Sequence, residues 1–282
     1  MSEPAQEKSA SHDTRWVLRF HRYDRILHGM LMASFLGLAL TGLPLLFAAA
    51  PWAARMAGFF GGYGVTGILH RTAAVVLIAT FTLHLSRVIH RLYVKKEMGM
   101  LWGPDSLVPQ PKDVVQMLQH MRWFLRLGPR PQFDRYTYWE KFDYWAVFWG
   151  MGVIGTSGLM LWFPGLFARI VPGWVFNIAM VVHGEEALLA VVFIFTVHFF
   201  NGHIRPEKFP MDTVIFTGRV SLEEVEADRP AEYARMLADG LESSLTSPPS
   251  HRLDLAGRLI GTTAVVLGFV MVGLSIYALL AW

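Results

Sequence analysis

The sequence predicts an all-α polytopic membrane protein with five transmembrane helices. Three observations carry that prediction. Hydrophobic residues make up 53% of the 282 positions and the mean hydropathy is +0.36, too apolar for an ordinary water-soluble domain. Five apolar stretches are each long enough to cross about 30 Å of hydrocarbon. The basic residues sort onto one side of the resulting topology.

Taken in order, residues 1–25 form a polar N-terminal arm with no cleavable signal pattern before the first apolar run. Span I covers 26–47 and holds no Asp, Glu, Lys or Arg. Span II covers 68–89, with only Arg71 and Arg87, both near its ends. A loop over 91–140 follows. Its Pro-rich start reads as a turn, and 113–127 reads as a short interfacial helix. Span III (145–163) is uncharged, and span IV (174–201) carries only Glu185 and Glu186. A charged loop at 206–256 reads as partly helical, interrupted at Pro230. Segment 257–282 holds span V, from residue 259 onward. Residues 26–205 form the four-helix core of this organisation.

Of the 25 Lys and Arg, only Arg55, Arg71 and Arg169 fall in or beside the loops on the far side. This bias places the N-terminus in the cytoplasm and the C-terminus in the periplasm, as in a bacterial inner membrane. It also assigns the basic surplus to topology rather than to nucleic acid. Trp16, Trp52, Trp102, Trp139, Trp174 and Trp282 stand near proposed span ends, as interfacial anchors do.

The absence of cysteine excludes c-type haem attachment, thiolate-held iron–sulfur clusters and disulfides. No phosphate-binding glycine loop is present. The chemistry-bearing residues are histidines. His70 and His84 lie 14 residues apart in span II, and His183 and His198 lie 15 apart in span IV. Either spacing returns a side chain to nearly the same helix face about 21–23 Å further along. Ionisable residues at membrane depth are costly, so four in register ask for a function. Two stacked porphyrins, each iron held by imidazoles from facing helices, meet that demand. The alternative is packing histidines or a proton relay.

Spans II and IV run in the same direction, so His70 pairs with His183 on the outer side. His84 and His198 fall on the inner side. His28, at the start of span I, lies at a similar depth, so His28 and His84 compete as partner for His198. The spare histidine hydrogen-bonds a quinone or a propionate, or joins a third haem. His21, His90 and His203 read as interfacial side chains. Arg71 on the outer side, and Arg25, Arg87 and Arg91 on the inner side, are candidate propionate partners. Gly150, Gly152, Gly155 and Gly158 in span III, with Gly29, Gly37 and Gly42 in span I, leave room for a macrocycle or for close helix packing. One of Glu185 and Glu186 is a proton acceptor or hydrogen-bonds the outer site; the other faces a neighbouring subunit.

The RxxH of span I (Arg25, His28), the GxLHR opening span II (Gly67, His70, Arg71) and the two span IV histidines resemble the membrane cytochrome b subunits of respiratory formate dehydrogenase and nickel–iron hydrogenase, and the bacterial cytochrome b561 proteins. The resemblance covers about residues 19–205. It implies a dihaem b-type cytochrome with His70–His183 ligating one haem and His28–His198 the other. His84 departs from that pattern, and its spacing resembles cytochrome b of the bc and b6f complexes, where both haems lie between two helices.

The expected activity is electron transfer between a partner redox subunit and membrane quinone. By family analogy the partner is an external iron–sulfur or multihaem c-type protein. A quinone site is expected near His28, His84 and the polar start of span III (Glu140, Lys141, Asp143). The competing readings are a stand-alone cytochrome b561-type quinone oxidoreductase and a non-redox transporter.

Overall fold

The structure is a computed structural model and describes residues 14–281; Lys8 and Trp282 lie outside the described residues. The first helix, α1 (Arg22–Leu46), is span I. A short helix α2 (Pro51–Phe59) leads through Gly61 and Gly62, both at positive φ, into α3 (Tyr63–Tyr93), which is span II. Left-handed backbone at two successive residues suits glycine, and it turns the chain back across the bilayer.

The following loop contains α4 (Pro111–Phe124). Span III, Tyr138–Trp162, is built from α5 (Tyr138–Gly150), a π-helical segment (Met151–Gly155) and α6 (Thr156–Trp162). A single turn, α7 (Pro164–Phe167), precedes span IV, Trp174–Ile204. Span IV begins as α8 (Trp174–Phe193) and ends in two π-helical segments, Ile194–His198 and Phe200–Ile204. Helices α9 (Val214–Thr217), α10 (Leu222–Asp228) and α11 (Pro230–Ala238) fill the next loop, with Pro230 at the first position of α11. The last helix, α12 (His251–Ala281), is span V.

Every span is longer than its apolar stretch, except that spans I and III end a residue early. The added residues lie chiefly at the basic end, where the N-terminal arm and long loops gather. The start of span III is set by capping rather than by hydropathy. The Thr137 hydroxyl accepts from the Glu140 amide at 3.4 Å while the Glu140 carboxylate takes the Thr137 amide at 2.8 Å, so span III starts well before its first apolar run.

Residues 14–25 and the 206–256 loop are more ordered than a solvated surface. Strands β1 (Trp16–Leu18), β2 (Arg219–Ser221) and β3 (Leu245–Thr246) form a small antiparallel sheet with β1 in the centre, aligning Val17 with Val220 and with Leu245. Val17, Val220, Leu222 and Val225 make a buried cluster beneath it. An ion network ties this cap to the spans. Buried Arg19 reaches Glu232 at 3.3 Å and Glu140 at 3.2 Å. Arg135 reaches Glu232 at 3.0 Å, and Arg229 reaches Glu140 at 3.3 Å. Asp228 accepts from Arg130 and Arg205 and lies beside Lys208. Burial pushes the Asp228 carboxyl up, but Lys208 and Arg205 outweigh it and hold it below the usual carboxylate range.

The membrane core joins spans I, IV and V through Ala39, Leu43, Val191, Phe195, Phe199, Ala264, Met271 and Val272. Span V presents Gly257, Gly261, Ala264, Gly268, Met271, Ser275 and Ala278 as one buried stripe. A Cβ on Gly268 would lie 2.5 Å from the Phe195 ring, so glycine there permits the contact between helices.

Candidate functional site

The two histidines far from the basic end meet. Span II carries His70 and span IV carries His183, and their ring centroids are 6.3 Å apart with the planes at 86°. Each ring is anchored by the same nitrogen. His70 Nδ1 lies 3.1 Å from the Thr41 hydroxyl of span I. That hydroxyl donates to the Gly37 carbonyl at 2.6 Å, so it accepts from the imidazole N–H. His183 Nδ1 donates to the Ile154 carbonyl at 3.0 Å and lies 3.3 Å from the Ser157 hydroxyl. Both Nδ1 atoms are therefore protonated donors, and both Nε2 atoms keep their lone pairs. This is the tautomer that a metal-ligating histidine needs, fixed by hydrogen bonds from neighbouring helices.

Glycine lets those neighbours come close. A Cβ on Gly42 would lie 3.0 Å from His70 Cε1, and one on Gly158 would lie 2.8 Å from His183 Cε1. The other candidate glycines differ: Gly29 and Gly152 meet nothing within 4 Å, while Gly37, Gly150 and Gly155 make ordinary contacts. The Ile154 carbonyl lies in the π-helical segment of span III, whose altered winding accompanies its bond to the histidine.

At the basic end the three inner histidines separate. His198 closes a π-helical segment of span IV, and its Nδ1 lies 3.0 Å from Asp143 Oδ2 of span III. Half-buried His28 lies within electrostatic reach of His198 and His203. His84 is turned elsewhere. Its Nε2 is 2.9 Å from the Tyr144 hydroxyl, and its ring packs edge-on against Tyr144 and Phe148. His203, which the sequence assigns to the interface, is drawn into this cluster with a buried Nδ1 that has no hydrogen-bond partner. His21 caps span I, and His90 is exposed.

Of the polar residues opening span III, Glu140 is held by Arg19 and Arg229, and Lys141 is buried against both carboxylate oxygens of Asp113 at 2.9 Å. Asp143 alone keeps a free oxygen, a buried Oδ1 with no partner. Arg71 lies over the Trp162 ring at the outer level, and Arg87 lies 4.0 Å over Tyr23. Arg91 is paired with Glu97, and Arg25 packs by Gly218 with its Nε buried and unpartnered. Glu186 accepts from the Trp149 indole at 3.2 Å, whereas Glu185 is exposed on the flank of span IV.

The donor set suits a haem. His70 and His183, with ring centres 6.3 Å apart, would be the residues to hold its iron. Among the described residues no three His, Asp or Glu side chains gather as for a bare metal ion. Thr41, Ser157, Asp143 and Tyr144 take no part in the spacing argument. Only the helix packing brings them to the rings. Comparison of the chain with protein-family models and with curated proteins finds no match to either.

Proposed function

We propose that the chain is a dihaem b-type cytochrome subunit of a bacterial cytoplasmic membrane, with its basic end in the cytoplasm. The observation that carries this reading is the facing pair His70 and His183, each tied down by Nδ1 and each offering Nε2. His28 and His198 would hold the second haem, Asp143 fixing the tautomer of His198 as a carboxylate does behind a ligating histidine. His84 is assigned away from iron, because its Nε2 is taken by Tyr144. Bound haem would supply one-electron redox capacity at two levels of the bilayer.

The chain's own residues set the conditions of that transfer. Thr41, Ile154, Ser157 and Asp143 orient the imidazoles, and the apolar spans keep water from them. Arg71 at the outer level and Arg25 at the inner level would neutralise propionates. The His84–Tyr144 pair at the inner level would hold a quinone headgroup, donating from the hydroxyl or the ring N–H. Electrons would then pass between that quinone and an iron–sulfur or multihaem c-type partner on the outer face. This last step rests on the family resemblance.

The test is the haem-to-protein ratio of the purified chain, with a dithionite-reduced minus oxidised spectrum. Two b-type haems per chain are expected. His70→Ala and His183→Ala each retain one, His28→Ala retains the other, and His84→Ala retains both. A purified chain with no b-type absorption overturns the reading and favours a proton-relay role for the histidines. Loss of a haem in His84→Ala overturns the inner assignment alone.

A further inference from the structure

Helix α4 has three faces. About 100° of turn per residue places Asp113, Gln116, His120 and Trp123 on one side. That side is docked: Asp113 binds Lys141, Gln116 donates to the Gln132 carbonyl at 3.0 Å, and His120 Nδ1 lies 3.2 Å from the Tyr138 hydroxyl. The contacts at Asp113 and His120 are seven residues apart on α4 but only three apart on span III, so the helix crosses the span rather than following it. Val114, Leu118, Met121 and Leu125 fall within a second arc of about 60°. Each of these four is more than half exposed among the described residues. Lys112, Gln119, Arg122 and Arg126 occupy the third face, with exposed Val115 among them.

The charges on that third face are all positive. Among the described residues Lys112, Arg122 and Arg126 make no ion pair, and Arg122 bonds only the Leu127 carbonyl at 3.4 Å. The helix closes in a Schellman turn, with the Arg126 amide on the Trp123 carbonyl and the Leu127 amide on the Arg122 carbonyl. Arg126 has φ 59°, a position where glycine costs least, yet a basic residue stands there. Phe142, Trp145 and Trp149 of span III are exposed, and the Trp145 indole donates to the Leu107 carbonyl just before α4. The Lys141–Asp113 pair pins α4 at the level where span III begins.

We propose that α4 is a lipid-reading helix whose occupant is the anionic surface of the bilayer. The Val114–Leu118–Met121–Leu125 face enters the acyl boundary, and Lys112, Arg122 and Arg126 bind phosphate headgroups. A basic residue beside an anionic surface raises lipid affinity about fivefold, so three acting together give strong selection. The docked face, by contrast, is already occupied by the chain itself, so binding requires no rearrangement of the bundle. The inference rests on the membrane class of the chain and not on its redox chemistry.

The absence of cysteine permits a direct test, because Leu118→Cys creates a single site for a bimane label. The full chain is reconstituted in phosphatidylcholine vesicles containing either brominated phosphatidylglycerol or brominated phosphatidylcholine. Quenching by both lipids is expected, with phosphatidylglycerol preferred at least fivefold. Adding Lys112→Gln, Arg122→Gln and Arg126→Gln brings the preference to near one without changing elution or melting. A label at Val75→Cys, on the exposed flank of span II, shows no preference. Absence of quenching at position 118 would mean that a protein partner or water covers this face, and would overturn the proposal. Equal quenching by the two lipids, or the same preference at position 75, would overturn the headgroup selection.

Discussion

Replacing Gly158 by alanine tests the outer site with the smallest available change. The new Cβ falls 2.8 Å from His183 Cε1, about 0.7 Å inside ordinary carbon–carbon contact. The ring must retreat, and retreat stretches the 3.0 Å bond from Nδ1 to the Ile154 carbonyl and the 3.3 Å contact with Ser157. Overpacking of this kind costs about 1–3 kcal/mol, which is about a 5- to 150-fold loss of affinity for whatever His183 ligates. Gly152→Ala, one turn and a half away in the same span, meets nothing within 4 Å and serves as the control. Haem titration of the apoprotein, read at the b-type absorption, measures the affinity of each site. Gly158→Ala should weaken one site of two, and Gly152→Ala neither. Equal affinities for both variants and the parent would show that the ring is not held by its neighbours, and the reasoning from Nδ1 anchoring would fail.

Asp143→Asn replaces the carboxylate behind His198 with a neutral amide, lowering the basicity of that imidazole. The midpoint potential of the inner haem should rise while the outer one is unchanged, as read by a potentiometric titration. Lys141→Met leaves the Asp113 charge buried without its cation and should cost about 3–5 kcal/mol, whereas Lys141→Met with Asp113→Asn, which removes the charge and keeps an acceptor for the Gln110 amide, should recover much of the loss; thermal melting measures both. His120 is buried among Trp123, Phe124, Phe133 and Trp139, and burial followed by the nearby Arg130 pushes its imidazole below the usual value of about 6.5. The docked imidazole binds a proton less readily than the undocked one, so docking of α4 is complete above about pH 6.5 and weakens as pH falls below it. The protection factors of the α4 amides, taken relative to intrinsic exchange at each pH, should fall between pH 7 and pH 5 in the parent, and much less so in His120→Gln.

Five spans, their approximate limits and the sorting of basic residues to one end are legible in the sequence, because hydropathy and charge are properties of composition along the chain. The interfacial reading of 113–127 follows from the same periodicity. Helix ends are less legible, since the capping at Thr137 adds a charged turn before the apolar run begins. The stripe of small residues on span V could have been found from the spacing of Gly257, Gly261, Ala264 and Gly268, but nothing local says which helix it receives. The pairing of the N-terminal arm with strands more than 200 residues later is not local at all.

The histidines divide in the same way. Their spacing alone determines that His70 and His84, or His183 and His198, lie near one face of their helices at two depths. At about 100° per residue, though, 14 steps fall some 40° short of a full return and 15 overshoot by some 60°. Which neighbour a ring meets within that uncertainty is decided by packing and by the π-helical segment over Ile194–His198. Tertiary structure turns His84 to Tyr144, sets His198 on Asp143 and brings His70 to His183, because a side chain's partner belongs to another helix and is written in no single stretch of sequence.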